Sequence, residues 1–289
     1  MRVSRRARAY AIVGIVHRAA ASDTLHICTA GNQPFFSRIQ NIVGSIHVWM
    51  AATPVIVVDL GLDGQQRAAV QHWRRTRLRS FDFARYPPHV RDLGNYAWKP
   101  LLMRELLQEH AYIFYADPSV ELRQPITATI EASIRAKGYW YVHQEGKSTR
   151  GRCCGAVLEL THPATISALN ATHEGLKNSF MCAGGIQGYA RSGSAVRDIL
   201  DPTCRCALQR SCIAPPTSSR HNHRFDQSIF SILISQSAGR YTCERDQRFY
   251  NYKNYMPLTR NLTEASGVVL NMRRLDHCCP YAKHIQLRP

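Results

Sequence analysis

Two rhythms of apolar residues alternate through the first half of the chain. Short apolar runs bounded by turn residues predict buried strands over 25–30, 53–62 and 111–115, and 79–83 reads as a shorter one. Between them the spacing becomes helical. Phe35, Ile39, Ile42, Val43 and Ile46 share one face of 34–49, and 65–75 reads as a polar-faced helix. Trp98, Leu101, Leu102, Leu106 and Leu107 point inward from 95–110, with Pro100 near the start, where a missing N–H does little harm. Strand–helix alternation with short connections predicts an α/β fold with a mostly parallel sheet flanked by helices.

Beyond Gln124 the rhythm loosens. Helices are expected over 127–136, 192–200 and 225–236, and strands over 139–143, 186–190 and 268–272. A polar, basic loop covers 145–155, and a Cys/Pro-rich loop covers 204–219. Repeats and long linkers are absent, so 23–289 reads as one domain with an elaborated, cysteine-rich second half.

Composition narrows the class. The chain has 289 residues, 45% hydrophobic and 20% charged, which allows a sizeable core and argues against disorder. The net charge of +17 favours anionic partners: phosphorylated small molecules, acidic glycans, anionic lipid or nucleic acid. The basic residues are spread out, apart from Arg2, Arg5, Arg6 and Arg8 and the cluster Arg74, Arg75, Arg77 and Arg79. No zinc-finger, RNA-recognition or basic-zipper pattern is present, so no specific nucleic-acid partner is expected. Of 10 cysteines, all but Cys28 lie from Cys153 onward, and two sequons begin at Asn170 and Asn261. Together these suggest an oxidising compartment: the secretory pathway, the Golgi lumen or the extracellular space. Cys204, Cys206 and Cys212 lack the paired spacing of a zinc site and are expected in disulfides that brace the helix beginning near Asp226. Residues 1–22 read as a basic tail or a weak signal-like segment, too short to span a bilayer, so membrane attachment through it would be weak.

Ligands of parallel α/β sheets bind beyond the carboxyl ends of the strands, where Asp59 and Asp117 are expected. Most such carboxylates only cap turns. Asp117 is singled out because it ends the most hydrophobic strand and because other chemistry follows in order. Lys99 lies at the start of the preceding helix, where a cation reaches a phosphate; the bland reading is a solvated lysine. Gly184 and Gly185 permit close approach of a ligand, or serve only as turns. Asp226 and Gln227 open a helix, where Asp also serves as a cap. His221 and His277 read as surface residues, and His223 is left open between ligand, acid/base and structural roles.

Five stretches carry a family resemblance: Tyr86-Pro-Pro-His-Val90, Tyr96-Ala-Trp-Lys-Pro-Leu101, Tyr115-Ala-Asp-Pro-Ser119, Cys206-Ala-Leu208 with Cys212-Ile-Ala-Pro215, and His223-Arg-Phe-Asp-Gln-Ser228. Across roughly 25–243 the chain resembles an uncharacterised family of secretory glycosyltransferase-like proteins, and through it the GT-A-type nucleotide-diphospho-sugar transferases. A more distant likeness is to glycogenin-type (family 8) transferases. The resemblance implies transfer of a sugar from a nucleotide-diphospho-sugar donor to a hydroxyl of a glycan or glycoprotein. It implies donor contacts by Lys99, Asp117, Ser119, Gly184 and Gly185, and Asp226 and Gln227 at the reacting centre. It also implies Mn²⁺ or Mg²⁺ on Asp117, but Ser119 stands where the second metal carboxylate is expected. Either the donor's diphosphate supplies most metal ligands, or basic side chains neutralise the leaving group instead. The rival reading is a catalytically inactive GT-A-fold protein that binds glycans or acts as a scaffold.

Overall fold

The computed structural model describes residues 23–144, 155–249, 268–272 and 279–289. The tail 1–22, most of the basic loop with Cys153 and Cys154, the Asn261 sequon, His277 and Cys278 lie outside the described residues.

The chain alternates as its pattern predicts: β1 (Leu25–Gly31), α1 (Phe36–Trp49), β2 (Val55–Asp59), α2 (Gly64–Gln71), β3 (Thr76–Ser80), α3 (Trp98–Glu109) and β4 (Tyr112–Ala116). There follow β5 (Val120–Leu122), α4 (Ala132–Lys137), β6 (Tyr139–His143), α5 (Pro163–Ala168), α6 (His173–Leu176) and β7 (Cys182–Ala190). Then come α7 (Asp201–Ala207), α8 (Arg210–Ile213), α9 (Asp226–Gln236) and β8 (Leu270–Met272).

The main sheet is six-stranded, in the order β3-β2-β1-β4-β7-β6. Strands β1 to β4 are parallel, whereas β7 runs antiparallel to both β4 and β6. A second, two-stranded sheet pairs β5 with β8. Alternation along each strand divides the core. Ile27, Val55, Val57 and Phe114 pack with Ile39, Ile42 and Ile46 of α1. Cys28, Ile56, Val58, Ile113 and Tyr115 pack with Leu102 and Leu106 of α3 and Ile229 and Phe230 of α9. Helices therefore cover both faces, the arrangement a largely parallel sheet requires.

Three expectations shift. The third strand lies at 76–80 rather than 79–83, because Thr76–Ser80 is in register with Val55–Asp59 and the chain then turns into short 3₁₀ segments. The strand expected at 186–190 begins at Cys182, since Cys182 pairs with His143 of β6. The loop expected over 204–219 contains part of α7 and all of α8, whose buried Cys204, Cys206, Cys212 and Ile213 supply an inward face that their spacing disguises. Two disulfides are present among the described residues, Cys206–Cys212 across the α7–α8 turn and Cys182–Cys243 from β7 to the segment after α9. Cys279 is also disulfide-bonded. Among the described residues no helix is long and apolar enough to cross a membrane.

Candidate active site

The strand order doubles back at β1: the chain runs outward through β2 to β3, then returns to place β4 on the other side of β1. A sheet that reverses in this way leaves a crevice beyond the carboxyl ends of its central strands. Asp117 emerges there from β4. Antiparallel β7 brings its own first residues to the same end, so the Asp117 N–H donates to the Gly185 carbonyl at 2.8 Å.

Glycine at 184 and 185 is required by space. A Cβ on Gly185 would lie 2.2 Å from Asp117 Oδ2, and one on Gly184 would lie 2.8 Å from the Gln227 Cβ. The glycines admit the chain's own carboxylate and α9 so closely that all four residues line one small cavity of about 100 Å³.

Lys99 is in the first turn of α3, held there by Tyr96 in the left-handed region (φ 56°), whose carbonyl accepts the Lys99 N–H at 3.1 Å. The side chain is only 4% exposed. This differs from a solvated lysine reaching for a phosphate: Nζ lies 3.0 Å from Asp117 Oδ1 and 3.7 Å from Asp226 Oδ2. The rings of Tyr96, Trp98 and Tyr115 stand 5.1, 5.7 and 5.6 Å from the ammonium. Burial opposes the charge, but Asp117 and Asp226 outweigh it and raise the pKa, so Lys99 stays protonated. Tyr115 donates its hydroxyl to Asp117 Oδ1 at 2.8 Å. Burial, then Asp117, keeps that phenol neutral.

Asp226 opens α9, where a carboxylate is favoured by the helix dipole. It is 5% exposed, and its Oδ2 has no hydrogen-bond partner although it faces the Lys99 ammonium. Burial lifts its pKa to about 6; Lys99 acts against that rise and Asp117 adds to it. Gln227 donates its amide to the Cys182 carbonyl at 2.7 Å and to Gln144.

Lys99, Asp117, Gly184, Gly185, Asp226 and Gln227 thus meet in one place, although they are far apart in sequence. Ser119 sits half-buried in the turn after Asp117 and does not line the cavity. Asp59 is turned away from it: Oδ1 accepts from the N–H groups of Gly61 and Leu62, and Oδ2 pairs with Arg67. His223 is fully buried; Nε2 donates to the Ile213 carbonyl and Nδ1 accepts from the His162 N–H, so it joins α8 to the approach of α9. Sequence reasoning missed Arg220, Arg224, Tyr96 and Phe225, which also line the cavity. Arg224 lies inside the stretch from His223 to Ser228 and Arg220 three residues before it, a visible signal. The positive φ angles of Tyr96 and Phe225 (56° and 50°) left no mark in composition.

The donor set for a metal is thin. Among the described residues no group of three His, Cys, Asp or Glu side chains gathers, and Asp117 and Asp226 are the carboxylates of the cavity. Mg²⁺ binds octahedrally, through one or two carboxylates, substrate phosphates and waters. Here Lys99 already stands between the two acids, so these residues do not fit a bridging divalent ion.

Solved structures similar to this chain decide its fold class. Galactosyltransferase LgtC, solved with donor and acceptor sugar analogues, superposes with a TM-score of 0.52 at 14% identity, covering 86% of each chain. The fold is of GT-A type. The bifunctional glycosyltransferase WbbM matches at TM-score 0.53 and 10% identity, over 81% of this chain and 40% of its own. Mouse xyloside xylosyltransferase 1 matches at 0.50 and 11%, over 88% of this chain and 98% of its own. The model of a family described as a protein of unknown function (DUF1647) matches residues 9–104. No curated protein matches the chain.

Proposed function

We propose that this GT-A chain is a glycosyltransferase that moves a sugar from a nucleotide-diphospho-sugar to a hydroxyl of a glycan or glycoprotein, with 23–289 acting as one domain. The observation that carries the reading is Asp226: a buried carboxylate whose Oδ2 accepts no hydrogen bond and is held only by a 3.7 Å ion pair to the protonated Lys99, in the crevice at the end of β4. Such an acid serves either as the base that takes the acceptor hydroxyl's proton or as the charge that steadies an oxocarbenium-like transition state. Lys99 and the arginines on the lining suit the diphosphate, where negative charge grows as the glycosidic bond breaks. Asp117 holds Lys99 in position, and Gln227 sits beside Asp226 to orient the sugar. Gly184 and Gly185 are assigned to the donor side, on the cavity wall. A neighbouring cavity of about 800 Å³ shares Phe225 with the small one and is large enough for an acceptor glycan.

The disulfides support a secretory location, in the Golgi lumen or outside the cell. Thermal-shift screening against a panel of nucleotide-sugars, followed by transfer assays on wild type, Asp117→Asn and Asp226→Asn, tests the reading. We expect a raised Tm with one donor class and at least a hundredfold loss of transfer in each variant. Full transfer by both variants would remove the assigned roles. The rival, a non-catalytic glycan-binding protein, is favoured by Ser119 lying off the cavity. It predicts glycan binding with neither transfer nor hydrolysis of any nucleotide-sugar.

A further inference from the structure

We propose that Lys99 takes the place of a divalent metal: its ammonium holds the donor diphosphate together with Arg220, and donor binding needs no added cation. This rests on the glycosyltransferase reading and specifies how that site handles its anion.

The geometry leaves little choice. Lys99 Nζ is 3.0 and 3.3 Å from the two oxygens of Asp117 and 3.7 Å from Asp226 Oδ2. A metal bridging these acids would stand against an ammonium ion of like charge. The lysine has nowhere else to go, because its side chain is 4% exposed and enclosed by the rings of Tyr96, Trp98 and Tyr115. Such rings favour a cation and fix it, but offer a divalent ion none of the hard oxygen donors it prefers.

Tyr96 also organises a second cation. The Arg220 guanidinium lies 5.6 Å from the same ring that Lys99 approaches to 5.1 Å. Two cations ordered on one ring line the cavity, and a guanidinium matches phosphate oxygens in a bidentate fork.

The transfer step then balances without metal. The bond from the anomeric carbon to the diphosphate oxygen breaks, and its electron pair stays on that oxygen. The acceptor oxygen bonds to the anomeric carbon, and its proton passes to Asp226 and on to solvent. Lys99 keeps its proton throughout and supplies charge alone.

Calorimetric titration of nucleoside diphosphates into the EDTA-treated full chain tests this, with Mn²⁺ titrated separately. The expected result is nucleoside diphosphate affinity unchanged within about twofold by EDTA or Mn²⁺, and no binding of Mn²⁺ alone. Lys99→Met should lose at least tenfold in nucleoside diphosphate affinity in EDTA and gain Mn²⁺ binding, because Asp117 and Asp226 are released. Arg220→Ala, at an exposed position, should weaken nucleoside diphosphate severalfold and the parent nucleoside not at all, with Tm within about a degree of wild type. Wild-type affinity that rises tenfold or more with Mn²⁺ overturns this inference and leaves the glycosyltransferase reading standing. Nucleotide binding absent with and without metal overturns both.

Discussion

Asp226 carries opposite consequences for stability and for rate. Its folded pKa is raised to about 6, so the native state holds a proton that the unfolded chain has lost between roughly pH 4 and 6. Stability from this group is present below that window and is lost as pH rises through it. Asp226→Asn is therefore expected to be more stable than wild type at pH 7 by up to about 3 kcal/mol, at roughly 1.4 kcal/mol per pKa unit. That gap should close toward pH 4, as read by urea unfolding at several pH values. His223 acts in the opposite sense: burial pushes its pKa down to about 4, so its contribution is full above the unfolded value and fades as pH falls toward 4. If Asp226 is the base, kcat/KM should fall tenfold per pH unit below about 6, whereas the residual activity of Asp226→Asn should lose that limb. Gly185→Ala is a second test at this scale. A Cβ there meets Asp117 Oδ2 at 2.2 Å and must push that carboxylate off Lys99, so donor affinity should drop at least tenfold and Tm should fall as well.

At the scale of elements, the site is the meeting of four segment ends: the amino end of α3, the carboxyl end of β4, the first residues of β7 and the amino end of α9. The Cys182–Cys243 disulfide anchors β7 at the residue whose carbonyl accepts Gln227. It closes a loop of 61 residues, so reduction should lower stability by about 2–4 kcal/mol. Thermal unfolding with and without a reductant measures this, and an unchanged Tm would mean the bond is dispensable. The Cys206–Cys212 bond acts one step further out. It fixes α8, whose Ile213 carbonyl holds His223, three residues before Asp226. The expected brace for the Asp226 helix therefore exists through Cys206 and Cys212 alone, and it acts through a short helix and a buried histidine; Cys204, expected to take part, is instead a free thiol buried in the core beside α3 and α9.

The whole molecule carries +17, far more positive charge than the cavity uses. Exposed charge is screened within about 10 Å at 0.1 M salt. Retention on a polyanion column should therefore be strong at low salt and fall steeply by about 0.2 M, with no preference among DNA sequences. Retention that persists at higher salt would point to a built nucleic-acid site. Asn170 is exposed and has φ 51°, and Thr172 of its sequon caps α6 at the surface. Protein made in a secretory host should thus carry a glycan at Asn170, seen as a mass shift removed by glycosidase.

The sequence by itself determined the alternation of strand and helix, the largely parallel sheet, and an ordered set of polar residues at element ends. These were legible because strand and helix periods are local, and because Asp117 interrupts an otherwise apolar run. It did not determine that β7 runs antiparallel beside β4, that Lys99 is buried against Asp117, or that Asp59 caps a turn while Asp226 keeps an oxygen without a hydrogen bond. The strand pairing and the surroundings of Lys99 and Asp226 depend on contacts between residues 18 to over 100 positions apart, which pairing and packing decide; the cap at Asp59 is local, but nothing in the sequence separates it from Asp117. Lys99 shows the reason most plainly. On its own helix it looks like a solvated cation; enclosed by three rings and two carboxylates, it becomes the fixed charge of the site.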